Sequence, residues 1–214
     1  MNLTEAQIKH LIKEVIKEVL EEKESKARGI AGLPDGVYID IEKNQDSYVI
    51  RYVTEDRKSP RKEFGFSGYL VTRPVKEFEC LGAFEVDWVT VTPKGEGHAP
   101  LLYDIAMEIA TLQGGGLTSG RSSVSDEAQK VWDYYLYNRT GPGGDVTAIQ
   151  LDDEKNTYTP PTEDNCVQDI VRSVMTGLNA EIKGHPLSKV YRKQPVILRA
   201  LGDKLRAYNF ELNL

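Results

Sequence analysis

Soft metal ligands are scarce in this chain: two cysteines and three histidines among 214 residues. Cys80 and Cys166 stand far apart, and His10, His98 and His185 are scattered, so no zinc-binding spacing can be assembled locally and no metal is expected. The cysteines read as free thiols of a reducing, cytoplasmic compartment, with a bridge as the alternative that spacing alone leaves open. Long apolar runs are also missing. None approaches the roughly 20 residues a membrane span needs, and the N-terminus has no signal-peptide apolar core, so no membrane contact is expected. A basic excess is missing as well. The 27 Lys and Arg are outnumbered by 33 Asp and Glu, a net charge of −6. That argues against nucleic acid as a partner and leaves only a local basic patch, "RKSPRK" at 57–62.

What is present is ordinary for a globular protein: 40% hydrophobic and 28% charged residues, enough for one good-sized domain with an appendage. The chain divides into a leader at 1–30, a main domain at 31–153 and a C-terminal extension at 154–214 that packs on it. In the leader, Thr4 and Gln7 fit a capping box and Leu3 and Ile8 a hydrophobic staple. Ile8, Leu11, Ile12, Val15, Ile16, Val19 and Leu20 then form one apolar helical stripe, backed by a balanced Lys/Glu face. Such a stripe is buried on the domain or in a homo-oligomer; the balanced polar face speaks against a membrane. Residues 21–36 read as a linker.

From 37 onward the pattern turns to strands, at 37–42, 47–54, 66–73 and 83–92, which predict an antiparallel meander. In the last, Phe84, Val86 and Trp88 share one parity and Val89 and Val91 the other. A change of phase inside a strand predicts a β-bulge, unless the strand is buried on both faces. Leu101, Leu102, Ile105, Ala106, Ile109 and Leu112 predict a helix that "QGGG" stops. A short strand at 116–119 follows. A second helix has Ser125 as N-cap, Asp126 and Glu127 in its first turn and Arg139 at its end. "TGPGG" at 140–144 breaks it before a strand at 145–153. Residues 157–165 read as a loop and about 165–182 as a helix; the last segment carries no clear period.

Between the bulged strand and the first of these helices lies "PKGEGHAP", 93–100. Glycines permit close backbone approach, and the free N–H groups of a first helical turn favour an anion; two glycines alone can equally be a plain turn. The loop lacks the Gly-Lys-Ser/Thr ending of a Walker loop and the third glycine of the dinucleotide fingerprint. The order of parts, with Lys94-Gly95-Glu96-Gly97-His98-Ala99 after the bulged strand, resembles the GCN5-related N-acetyltransferase family. That family's signature is Gln/Arg-x-x-Gly-x-Gly/Ala, and Lys94 stands at its first position. "LTSGRSSVSDEAQKVWDYYLYNR" is similar to the family's next motif. The resemblance spans roughly 35–153, and the phrasing is similar to acetyltransferases of tailed bacteriophages.

The resemblance implies an α/β (α+β) fold with a mixed, mostly antiparallel sheet, a bulged strand and flanking helices. It implies acetyl-coenzyme A (acetyl-CoA) as co-substrate and a small-molecule or protein amine as acceptor. The backbone of Val89 and Val91 would pair with the pantetheine arm. The segment Lys94, Gly95, Glu96, Gly97, His98 and Ala99 would hold the pyrophosphate through its amides. Pro100 lacks an N–H, and Glu96 brings a negative charge. Relatives take the amine proton with a carboxylate on the bulged strand, here Glu85 or Asp87, whose other reading is an exposed polar face. They protonate the leaving thiolate with a tyrosine at the position of Trp132, so Tyr135 is the substitute acid. The expected function is an N-acetyltransferase; the alternative is a non-catalytic interaction or virion protein on the same scaffold, in the host cytoplasm or the virion.

Overall fold

A computed structural model describes residues 30, 32–75, 80, 82–94, 98–151, 166 and 184–208 of the chain. The leader helix, most of the linker, the loop at 157–165 and the helix at about 165–182 lie outside the described residues, as do Gly95, Glu96 and Gly97.

The protein is an α+β fold built on a mixed, mostly antiparallel eight-stranded sheet that curls into a half-barrel. The predicted meander is its first half: β1 (Tyr38–Asn44), β2 (Ser47–Val53), β3 (Ser67–Pro74) and β4 (Phe84–Thr92). All neighbours in it are antiparallel, and β1 turns into β2 through Gln45 and Asp46 alone. A four-residue helix, α1 (Arg61–Phe64), occupies part of the basic patch, where Arg57 pairs with Asp40 and Lys58 with Asp56.

The helix α2 (His98–Leu112) then crosses the sheet and is buried on all sides from Leu101 to Ala110. A helix buried all round must bury its polar residues too, and both of its buried carboxylates have partners. Asp104 accepts hydrogen bonds from Tyr135 Oη (2.9 Å) and Arg139 Nη1 (3.1 Å). Arg139 also grips Asp145 at 2.6 Å. Glu108 pairs with Lys193 and accepts the backbone N–H groups of Val196, Ile197 and Leu198.

The "QGGG" stop allows more than a turn. A Cβ at Gly115 would lie 1.9 Å from the Gly82 carbonyl oxygen, so the loops before β4 and after α2 can touch only through glycine. β5 (Leu117–Thr118) follows, then α3 (Asp126–Tyr134), capped by Ser125 as predicted: its hydroxyl accepts the Ala128 N–H. The predicted continuation to Arg139 widens into a π turn over Tyr135–Arg139. β6 (Val146–Gln150) completes the part that the patterns predict.

The last third enters the same sheet. β7 (Lys189–Lys193) lies between β5 and β6, and β8 (Leu205–Tyr208) pairs parallel with β1, beyond the short helix α4 (Val196–Leu201). The strand β7 has no period-two signal because Lys193 fills a core position, its ammonium neutralised by Glu108.

One expectation is corrected: the cysteines are not free thiols. Cys80 and Cys166 form a disulfide, packed with Ala83, Leu151 and Val190 in a small satellite core. Eighty-six residues separate them, and only the fold brings the segment before β4 next to the segment after β6. Among the described residues no helix is long and apolar enough to cross a membrane.

Candidate active site at the parting of β4 and β5

The register of β3 against β4 slips once. Val71 stands opposite Trp88 and Thr72 opposite Val86, which leaves Asp87 as the extra residue. The slip puts Val86 and Val89 on one face, opposite Thr72 and Leu70, with Phe84 and Val91. The phase change therefore falls at Asp87, one residue earlier than side-chain parity suggests. Trp88 belongs with the second half of the strand and is 60% exposed.

β5 runs parallel to β4 but pairs only with Phe84 and Glu85. From Val86 onward that side of β4 has no strand partner among the described residues. Between its free edge and the helices α2 and α3 lies a cleft of two chambers. The wide one, ≈ 640 Å³, is walled by Val89, Val91, Lys94, the first turn of α2 and the outer side of α3. The narrow one, ≈ 290 Å³, is walled by Val86, Asp87, Gly120, Ser123 and Trp132 among others. Trp88, Val89, Tyr103, Ser125 and Ala128 line both and so mark the joint between them.

The sequence-derived residues divide sharply here. Val89, Val91, Lys94, His98 and Ala99 come together on the wide chamber. Lys94 reaches Glu127 of α3 at 3.5 Å across the mouth. The His98 ring stacks on Phe66 with centroids 4.5 Å apart, and its carbonyl accepts the Tyr52 hydroxyl at 2.7 Å. Those contacts fix the start of α2.

Glu85 and Tyr135 are elsewhere. Glu85 is 7% exposed and lines neither chamber. Its carboxylate accepts Arg73 Nε at 2.9 Å and the Arg121 backbone N–H at 2.8 Å, so it ties β4 to the loop after β5. Asp87 does line the narrow chamber and pairs with Arg73 at 3.2 Å. Tyr135 is 0% exposed and lines neither chamber. Burial, then the charge of Asp104, pushes its phenol well above the ordinary value. Trp132 lies in the narrow chamber's wall, stacked on Tyr191 at 5.2 Å.

The sequence reading passes over Tyr103. It is 1% exposed, at the joint of the chambers, its ring perpendicular to that of Trp132 with centroids 5.6 Å apart. Burial pushes its phenol far above the ordinary range. The usable signal is on its own helix face: Ala99, Ala106 and Ala110, at i−4, i+3 and i+7, leave room for a large ring.

Comparison of the chain with family models, with curated proteins and with solved structures finds no match.

Proposed function

We propose that the chain is an acetyl-CoA-dependent N-acetyltransferase of the GCN5-related type, acting on a small-molecule or protein amine. The observation that carries this reading is the parting of β4 from β5 directly after the Asp87 bulge, into a cleft that ends on the first turn of α2. The parted edge suits the co-substrate. Among the described residues no strand pairs with that edge of β4 beyond Glu85, and the amides of a pantetheine arm suit such an edge. The start of a 15-residue helix favours a pyrophosphate through its dipole and the N–H groups of His98 and Ala99. Pro100 contributes no N–H, and Lys94 and Lys130 add positive charge at the mouth.

Within this reading Asp87, not Glu85, takes the amine proton, since it is the carboxylate in a chamber wall. Glu85 holds the strand and loop in place. Tyr135 keeps its hydrogen bond to Asp104 and does not act as acid. A thiol of ordinary pKa near 8.5 can leave without one, at a rate lower by a factor on the order of 10²–10⁴. The test is thiol release from acetyl-CoA over a panel of primary amines, with Asp87→Asn beside the wild type. Amine-dependent release that the substitution suppresses supports the reading; release untouched by it refutes the role of Asp87.

One observation favours a second reading, a non-catalytic interaction or virion protein on the same scaffold. Both Glu85 and Tyr135 are bound into structural networks rather than turned to the cleft. Acetyl-CoA binding without thiol release to any amine would select it.

A further inference from the structure

This inference rests on the acetyl-CoA reading and assigns a residue to the same cleft. Among the described residues, two buried side-chain polar atoms have no hydrogen-bond partner: Asp40 Oδ1 and Tyr103 Oη. The first is explained by its surroundings, because the other oxygen of Asp40 holds Arg51 and Arg57. Tyr103 has no such account. A phenylalanine would fill the same volume without leaving a buried hydroxyl unmatched. Its aromatic neighbours do not hydrogen-bond it: the Trp132 ring stands perpendicular at 5.6 Å, and the Tyr135 hydroxyl is engaged with Asp104. Tyr103 nevertheless stands where the two chambers meet, beside Val89 and Ala128.

We propose that the Tyr103 hydroxyl is the cleft's recognition donor, hydrogen-bonding the carbonyl oxygen of the bound thioester and stabilising the negative charge that grows there as the amine attacks. In that step the amine nitrogen bonds to the carbonyl carbon, the C–S bond breaks, and the electron pair leaves on sulfur. The surplus amine proton passes to Asp87 or to water. Tyr103 keeps its proton throughout. A free phenol, with a pKa of about 10, is already a weaker acid than a thiol at about 8.5, and burial widens the gap. Transfer to a thiolate is therefore uphill, whereas donation to an oxygen is not. A carbonyl oxygen is also the stronger acceptor; a thioether-like sulfur is a weak one.

The test uses Tyr103→Phe and two probes, acetyl-CoA and coenzyme A with its free thiol, which differ by the acetyl group that carries the carbonyl. Calorimetry on the wild type and the variant gives four affinities. The expected result is a variant that melts no lower than wild type, with coenzyme A affinity within about twofold and acetyl-CoA affinity reduced about five- to tenfold, the worth of one hydrogen bond. Equal loss for both probes, or no loss for either, overturns the assignment. A melting temperature clearly below wild type also overturns it, because the hydroxyl would then be bonded within the protein. If the wild type binds neither probe, the acetyl-CoA reading itself fails; wild-type binding with an unchanged variant removes only the role of Tyr103.

Discussion

Breaking the Cys80–Cys166 bridge tests how the segment before β4 is held to the segment after β6. The bond closes a loop across 86 residues of sequence. In the chain-entropy treatment, releasing a loop of that length from the unfolded state costs the folded state about 4.6 kcal/mol at 25 °C. For a domain of this size each kcal/mol moves the melting temperature by about 2–4 °C, so reduction should lower it by roughly 9–18 °C. The two half-cystines are themselves almost fully buried. Arg121, which donates to the Cys166 carbonyl at 3.3 Å, also presents its N–H to Glu85, so loosening should reach the loop beside the cleft. The assay is urea unfolding of the oxidised protein, the fully reduced protein and the Cys80→Ala/Cys166→Ala double variant. Mass spectrometry of the oxidised sample should show one intact bridge. Midpoints that agree within the error of the fits in all three would refute the bridge as a structural element.

Three further outcomes follow from particular contacts. Glu85→Gln should destabilise the fold by about 1.5–3 kcal/mol, the range for a hydrogen bond to a charged group, while leaving acetyl-CoA affinity unchanged; a selective loss of affinity would return Glu85 to the cleft. Gly115→Ala should cost at least about 1–3 kcal/mol, because its Cβ has no room against the Gly82 carbonyl; chemical denaturation showing a neutral effect would contradict the described packing. His185 Nδ1 accepts the Leu187 N–H at 3.2 Å, and burial holds its pKa below the ordinary value, against an opposing pull from Asp133. A depressed folded pKa means the contribution is present above about pH 6.5, the unfolded value, and is lost as pH falls through the folded one. The melting temperature should therefore drop more between pH 7.5 and 5.5 in wild type than in His185→Asn, which keeps an acceptor that does not titrate; parallel slopes would refute this.

Local signals were legible in the sequence, and long-range ones were not. The meander, the caps of α3 and the stop after α2 rest on contacts between near neighbours, and they were readable. The bulge was readable too, because one inserted residue flips every later side chain; its position shifted to Asp87 once β3 supplied the register. β7 was hidden by Lys193, a core position whose charge is matched by Glu108, 85 residues away, with Asp145 also within reach. The disulfide depends on a similar meeting at distance. In the candidate site, the wall residues Val89, Val91, Lys94, His98 and Ala99 are those the family resemblance implies. Glu85 stands on the bulged strand where relatives carry a base and Tyr135 is near Trp132 in sequence, yet Arg121 and Asp104 claim them in space. Tyr103 was missed because an interior helix position reads as packing unless its hydroxyl is traced to a partner.

The most direct measurement is a calorimetric titration of acetyl-CoA into the wild-type protein and into Ala128→Trp, whose larger side chain fills the joint of the two chambers. The account predicts saturable one-to-one binding to wild type, with a melting temperature that rises with ligand concentration, and loss of both in the variant. No heat and no thermal shift at millimolar acetyl-CoA would contradict it, and so would equal binding to the two proteins, because the ligand would then sit outside the cleft.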